Sequence, residues 1–397
     1  MAKKKRVVAV FTGNRAEYGL QYPILKAIAA HPGLDYKLIV SGAHLDRNFG
    51  RTLAEINKDG FRVHAEVKIE MAADTLFATA NAIGTGIVSM SRALDRLRPD
   101  LLVVYADRFE GFAALVAGTQ MRIPTAHIEG GDVTEGGALD DSVRHAMTKL
   151  AHLHFTTNAD ARRRILAMGE GAWRVHDVGF PAIDLIKAGL FASPDEVREK
   201  YGLSPDRPVA LFTQHSVTTQ FDEAAAQIRP ALRALERLGR EGVQVVATYP
   251  NNDAGGLAIT RELERWIRSK PANVQLHKNL GRWNYHGILN FIGQVSGGAC
   301  VGNSSSGIKE TPAFRCPAIN VGSRQDGRLR ARNVIDVGYD AAALRRAFER
   351  CVSDRRFLEV VRTCANPYGR GDSGRRIAEV LARVPLDARL ITKEMTI

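Results

Sequence analysis

The stretch LLVVYADRFEGFAALVAGTQ, Leu101 to Gln120, sets an unbroken apolar run directly before a segment with apolar residues at helical spacing. Leu101–Tyr105 predicts a strand buried on both faces, and Phe109–Gln120 predicts the helix that follows it. Asp107 falls immediately beyond the strand. A carboxylate there serves either as a helix N-cap or as an active-site group.

The same unit recurs on both sides. The short runs RVVAVF, YKLIV, RVHAEV, TAHI, LHFTT and RVHDV alternate with longer amphipathic stretches, which is the βαβ rhythm of a parallel sheet covered on both faces. Across Gly179–Asp206 the rhythm breaks into short helices and turns. It restarts at Val209 with VALFT, VQVVATY, NVQLH, ACVGN, PAINV and NVIDV and runs to about Asn366. The expected fold is therefore α/β, with two Rossmann-like domains facing a cleft. Residues 1–180 form an N-terminal domain with the carboxylates, 181–369 a nucleotide-binding domain, and 370–397 a segment that packs back toward the first. A chain of 397 residues fits this division, because single cores stop growing at about 250–300 residues.

Composition narrows the function classes. With 45% hydrophobic and 25% charged residues, and no apolar run of the ~20 residues a spanning helix needs, no membrane association is expected. Cys300, Cys316, Cys351 and Cys364 form no C-x-x-C pair, so neither a zinc site nor a disulfide framework is suggested, and the cytoplasm is the expected compartment. The net charge of +12 could answer a nucleic acid. Acidic residues are interleaved throughout, however, and an anionic small substrate accounts for the excess without one.

Ligands of open parallel sheets bind beyond the carboxyl ends of the strands. TGNRAEYG, ADRFEG, EGGD, QHSVT and NSSSG each follow a predicted strand. In GNSSSGIKETP, Gly302–Pro312, backbone N–H groups and the hydroxyls of Ser304, Ser305 and Ser306, with Gly307, suit a diphosphate at the start of a helix opening at about Ser306. Glu310, one turn on, is placed to accept from sugar hydroxyls. Serine N-capping is the simpler alternative, but it needs one serine. Arg15 suits a phosphate contact. No G-x-G-x-x-G follows a strand, and GTGIVS at Gly84 lacks the third glycine, so NAD is excluded and no cofactor is expected.

AHIEGGDVTEGGALDDSVRH, Ala126–His145, gathers Glu129, Asp132, Glu135, Asp140 and Asp141 among glycines. Glu129 ends the strand neighbouring that of Asp107, which favours an active-site role for both. His127 and His145 flank these carboxylates but lie on different predicted elements, so no metal site is expected.

TGNRAEYG, ADRFEG, AHIEGGD with DDSVRHAMTKLAHLHF, VGFPAID, YPNNDAGG, VGNSSSGIKETP and GSRQDGRLRARNVIDV together resemble the hydrolysing UDP-N-acetylglucosamine 2-epimerases across nearly the whole chain. The resemblance implies a two-domain fold of the glycosyltransferase-B type and a homodimer or homotetramer. It also implies conversion of a UDP-2-acetamido sugar to UDP and the free C2 epimer through a glycal, in supply of nonulosonic acids. It places the catalytic acids on Asp107, Glu129 and Asp140, with Asp141 as the competitor of Asp140. Nucleotide contacts fall on Arg15, His215, Arg282, Ser304, Ser305, Ser306, Gly307 and Glu310.

Two departures stand out: Ala106 where most relatives have glycine, and a loop before Asp140 about two residues longer. The longer loop fits a different sugar, such as a 2,4-diacetamido-trideoxyhexose on UDP or GDP. Among other readings, a glycosyltransferase of the same fold would need an acceptor. A nucleotide-sugar-binding regulator would not need three strand-end carboxylates. The non-hydrolysing epimerases carry H-x-E-A-G-x-R where this chain has HIEGGDVTEGG.

Overall fold

A computed structural model describes residues 4–45, 53–69, 76–133, 139–251 and 253–396, apart from the side chains of residues 15, 16, 76, 139 and 140. Leu101–Tyr105 is a strand with all five side chains buried, and Phe109–Gln120 is the helix that follows it.

The strand lies within a parallel sheet of seven: β1 (Arg6–Thr12), β2 (Leu34–Ser41), β3 (Val63–Val67), β4 (Leu101–Tyr105), β5 (Thr125–Ile128), β6 (Leu153–Thr156) and β7 (Val175–Asp177). The order is 3-2-1-4-5-6-7, so the chain reverses its direction of travel between β1 and β4. The carboxyl ends of those two strands are where such sheets open a crevice. β4 and β5 pair with Tyr105 opposite Ile128, which sets the residues leaving both strands side by side.

Alternation along the strands feeds two cores. Val8, Val10, Leu101, Val103 and Tyr105 pack with Ile24, Leu25 and Ile28 of the Arg15–Ala30 helix. Ala9, Phe11, Leu102 and Val104 face the other way, against Met90, Leu94, Ala114 and Met147. Each larger aliphatic side chain so removed from water contributes about 1.5–3 kcal/mol.

A second parallel sheet of six follows: β8 (Val209–Thr213), β9 (Gln244–Thr248), β10 (Val274–His277), β11 (Gly298–Gly302), β12 (Ala318–Val321) and β13 (Val334–Val337), in the order 10-9-8-11-12-13. Its own reversal lies between β8 and β11. In chain order, the helices Ala182–Lys187 and Pro194–Tyr201 come after β7 and before β8.

The chain divides into two compact units. One gathers the described residues up to Asp132, Leu139–Asp184 and those from Tyr368 onward, and the other contains Leu185–Pro367. The Ser373–Arg383 helix places Ile377, Ala378 and Leu381 in the core of the first unit. Arg6 of β1 closes that helix, donating through Nη1 to the carbonyls of Leu381 (2.9 Å) and Val384 (2.7 Å). Among the described residues, no helix is long and apolar enough to cross a membrane.

Candidate active site

In the first unit, the chain leaves both β4 and β5 through left-handed backbone. Ala106 has φ 56° and Glu129 has φ 66°, a region that L residues occupy only where surroundings enforce it. The enforcing contacts are visible. The Ala106 N–H donates to the carbonyl of Ile128 (3.0 Å) and the Glu129 N–H to that of Phe155 (2.9 Å), while His127 Nε2 donates to the Ala106 carbonyl at 2.6 Å. Burial, foremost, pushes the His127 imidazole down to about 4, so it is neutral at physiological pH. Thr148 Oγ1 lies 3.3 Å from its Nδ1. His127 is thus a fastener of the turn that carries Asp107.

Glycine has a steric task here. A Cβ on Gly130 would come within 2.8 Å of Thr148 Oγ1 and 2.9 Å of His127 Nδ1. On Gly131, at φ 76°, it would come within 2.4 Å of the Ala161 carbonyl oxygen. The backbone after Glu129 therefore lies against two helices at once.

Asp107 does not cap its helix. The N-cap is Arg108, whose side chain makes no capping bond, and the Asp107 carboxylate is ion-paired with Arg144 Nη2. Arg144 Nη1 pairs with Asp141 and also donates to the Asp132 carbonyl at 2.8 Å. Arg144 and Asp141 expose only 5% and 8% of their side chains, and Asp107 exposes 19%, so Asp107 remains reachable from solvent. The Asp132 carboxylate accepts from Thr157 Oγ1 (2.9 Å) and Asn158 Nδ2 (3.0 Å). Tyr105 is buried next to Glu129, and burial followed by the carboxylate's charge holds its phenol well above its ordinary range. The side chain of Asp140 lies outside the described residues, as does that of Arg15, whose backbone opens a helix capped by Asn14.

A second carboxyl pair lies at the ends of β1 and β4. Glu110 is buried and bound by Arg108 through Nε (3.2 Å) and Nη2 (3.3 Å). Glu17 accepts from the Gly13 N–H (3.2 Å) and Gln21 Nε2 (3.0 Å). Burial, opposed by the Gly13 bond and reinforced by the charge of Glu110, raises Glu17 to about 8.

In the second unit, Asn303 joins the ends of β8 and β11. Its Oδ1 accepts the His215 N–H (2.7 Å), and its Nδ2 donates to the His215 carbonyl (2.9 Å). The His215 ring accepts the Asn251 N–H at Nδ1 (3.0 Å) and is pushed down to about 3, chiefly by burial. The serine loop opens a helix of one turn, Ser306–Lys309, and then a 3-10 turn, Thr311–Phe314. A single turn has little macrodipole, so the donors this loop presents are individual N–H and hydroxyl groups. Ser305, at the N-cap, makes no capping bond with its side chain. Glu310 Oε2 accepts from Ser306 Oγ (2.5 Å) and His286 Nε2 (3.0 Å). Burial works to raise the Glu310 carboxyl, but the charge and bond of His286, with Ser306, outweigh it and hold it low. Arg282, on the same helix as His286, donates to the Leu190 carbonyl at 3.2 Å.

The structure thus sets Asp107 and Glu129 on adjacent strand ends, with Asp141 tied to Asp107. It also gathers His215, Ser304–Gly307 and Glu310 at the ends of β8 and β11. Sequence reasoning missed Arg144, His286, Glu17 and Tyr105. The Asp141-to-Arg144 spacing of three, one helical turn, was the available signal for the first. Among the described residues, no three His, Cys, Asp or Glu side chains gather as around a metal ion.

Comparison with known proteins gives a consistent picture. A family profile described as UDP-N-acetylglucosamine 2-epimerase matches residues 26–382. The chain is 30% identical to a Legionella pneumophila UDP-N,N'-diacetylbacillosamine 2-epimerase (hydrolyzing), over 98% of each chain. It is 32% identical to a Campylobacter jejuni GDP/UDP-N,N'-diacetylbacillosamine 2-epimerase (hydrolyzing), over 84% of each. A Neisseria meningitidis serogroup B UDP-N-acetylglucosamine 2-epimerase is 31% identical over 95% of each. Among solved structures, a Neisseria meningitidis UDP-GlcNAc 2-epimerase bound to UDP-GlcNAc superposes with TM-score 0.75 at 18% identity, covering 96% of this chain and 100% of that one. That likeness establishes the fold, two Rossmann-like domains of the glycosyltransferase-B type.

Proposed function

The chain belongs to the UDP-N-acetylglucosamine 2-epimerase family, and from that premise we propose that it hydrolyses a UDP-2-acetamido sugar to UDP and the free C2 epimer. The observation that carries this reading is the carboxylate group at the ends of β4 and β5, with Asp107 and Asp141 on one buried guanidinium and Glu129 on the neighbouring strand end.

The chemistry explains the need for several carboxylates. The hydrogen on C2 is poorly acidic, because no carbonyl stands beside it. Breaking the C1–O bond to the diphosphate develops an oxocarbenium ion, and the C2–H bond then weakens. One carboxylate takes that proton, the C–H electron pair forms the C1–C2 double bond of a glycal, and UDP departs with the C1–O pair. Water next adds its oxygen to C1 and loses a proton, while an acid on the opposite face delivers a proton to C2. Base and acid catalysis each contribute about 10²–10⁴-fold. We assign these steps to Asp107, Glu129 and the Asp140–Asp141 pair, with Arg144 fixing the first and the last. The diphosphate and ribose are assigned to Ser304–Gly307, Glu310, His215 and Arg15.

Two sugars fit this scheme, N-acetylglucosamine and its 2,4-diacetamido-trideoxy counterpart. The second is favoured by the longer loop before Asp140 and by the named substrates of the relatives from Legionella and Campylobacter.

Turnover in D₂O tests both mechanism and substrate. UDP-N-acetylglucosamine and UDP-N,N'-diacetylbacillosamine are supplied separately, and the released sugar is read by NMR. Deuterium at C2 of a free, inverted sugar is expected. Product without deuterium at C2 would overturn the elimination, and product only in the presence of an added acceptor would make the protein a glycosyltransferase.

A further inference from the structure

We propose that Lys393, near the end of the chain, is a positioning residue for the carboxylate site and acts through the C-terminal end of the Leu139–Leu150 helix. This rests on the reading that Asp141 and Arg144, carried by that helix, belong to the site.

A helix ends with carbonyls that have no intrahelical partner, and here two distant segments supply the donors. Lys393 Nζ donates to the carbonyls of Lys149 and Ala151, both at 2.7 Å, and Thr119 Oγ1 donates to that of Leu150 at 3.4 Å. The third donor of the ammonium group goes to Glu170 Oε2 at 2.8 Å, so its capacity is filled. Glu170, with 1% of its side chain exposed, also accepts from Lys149 Nζ (2.7 Å) and His154 Nε2 (3.1 Å). Burial raises the Glu170 carboxyl, but these three bonds overcome it and hold it down at about 2. Lys393 therefore joins the helix end to a buried carboxylate anchored on β6.

The segment bearing Lys393 is itself fixed. Arg174 donates to the carbonyls of Arg389 (2.6 Å), Leu390 (2.7 Å) and Thr392 (2.8 Å), as well as to that of His152 (3.0 Å). Leu390 is fully buried in the core of the first unit, and the guanidinium groups of Arg174 and Arg389 both stack on the Trp173 ring, 4.3 Å and 4.8 Å from its centre. From Lys149 back to Arg144 is five residues, about 7.5 Å along the helix axis. Over that distance a rigid helix transmits a shift at its end to the guanidinium that holds Asp107. The same helix carries Thr148, beside His127.

The test compares full-length Lys393→Met, Lys393→Arg and Glu394→Ala with the wild type. A displacement near the chemistry can cost 10²-fold, and the effect expected here is smaller. Lys393→Met should lower kcat about 10-fold with KM and the UDP dissociation constant unchanged, and should speed amide exchange over residues 144–150. Lys393→Arg should recover part of the loss, and the exposed neighbour Glu394→Ala should leave kcat at the wild-type value. If Lys393→Met does not fold, Lys393→Arg alone decides, with reduced kcat at constant KM expected. Wild-type kcat in a folded Lys393 variant, whatever its melting temperature, overturns this proposal alone, as does a change confined to KM. No UDP release by the wild type from either sugar overturns the assigned reaction and this proposal together.

Discussion

Arg144 and Asp107 are ion-paired across 37 positions of the chain, which fastens the end of β4 to the helix that carries Asp141. Removing the guanidinium would leave two carboxylates without their shared partner, and breaking a buried pair on one side costs about 3–5 kcal/mol. Arg144→Met should therefore lower stability by about 3 kcal/mol and turnover by at least about 100-fold. Arg144→Lys should restore much of the stability and little of the activity, because one ammonium lacks the fork that reaches both carboxylates. Urea unfolding and UDP release measure the two effects. Wild-type turnover in Arg144→Met would remove this ion pair from the mechanism.

Ala106, at φ 56°, occupies a region that costs an L residue about 1–2 kcal/mol. Glycine would escape that cost while losing about 0.5–1 kcal/mol of conformational freedom on folding. Ala106→Gly should therefore gain up to about 1 kcal/mol, and Ala106→Val, with its branched Cβ, should lose more than that. A destabilised glycine variant would contradict the balance drawn here.

Glu310 follows the serine loop to which we assign the diphosphate, and it accepts from Ser306 and His286. Glu310→Ala should weaken UDP binding about 10-fold, as the loss of hydrogen bonds to a charged group implies, and should also lower the melting temperature by removing the acceptor of two buried donors. Glu310→Gln, which keeps an oxygen for His286, should separate the effects, with affinity reduced and melting nearly unchanged. Calorimetry with UDP and thermal unfolding supply the numbers. Unaltered affinity in both variants would place the nucleotide elsewhere.

Glu17 is raised by burial to about 8 from an ordinary 4.5. Between those values the folded chain holds a proton that the unfolded chain has released, so stability falls as pH rises through the window. Glu17→Gln removes this dependence while keeping an acceptor for the Gly13 N–H. Its melting temperature relative to wild type should climb from pH 5 to pH 8 by several degrees. A constant difference across that range would mean that Glu17 is ionised in the folded protein.

The thirteen strands of the described residues were legible as short apolar runs, many of them β-branched, because a doubly covered parallel sheet favours that composition. The strand-end placement of Asp107 and Glu129 followed from the same pattern. What Asp107 does at its strand end was not legible, since N-cap and ion pair ask for the same carboxylate in the same place. Only the fold brings Arg144 to it. The helix at Ser306 was expected but not its length of one turn, after which a 3-10 turn, Thr311–Phe314, follows. On the Gly281–Phe291 helix, Arg282 was singled out by the resemblance alone, whereas His286, one turn further on, reaches Glu310. Lys393 gave no local signal at all, as its partners lie more than two hundred residues away.

The division of the chain also bears on its synthesis. The second unit is one continuous stretch, Leu185–Pro367, whereas the core of the first needs Ile377, Leu381 and Leu390 from the far end. A ribosome delivers the chain from its N-terminus and domains fold as they become complete. The downstream unit can therefore close while the core between the upstream sheet and its Arg15–Ala30 helix still lacks Ile377, Leu381 and Leu390. Ribosome stalling or C-terminal proteolysis would strand a protein with an intact serine loop and an unfinished carboxylate site.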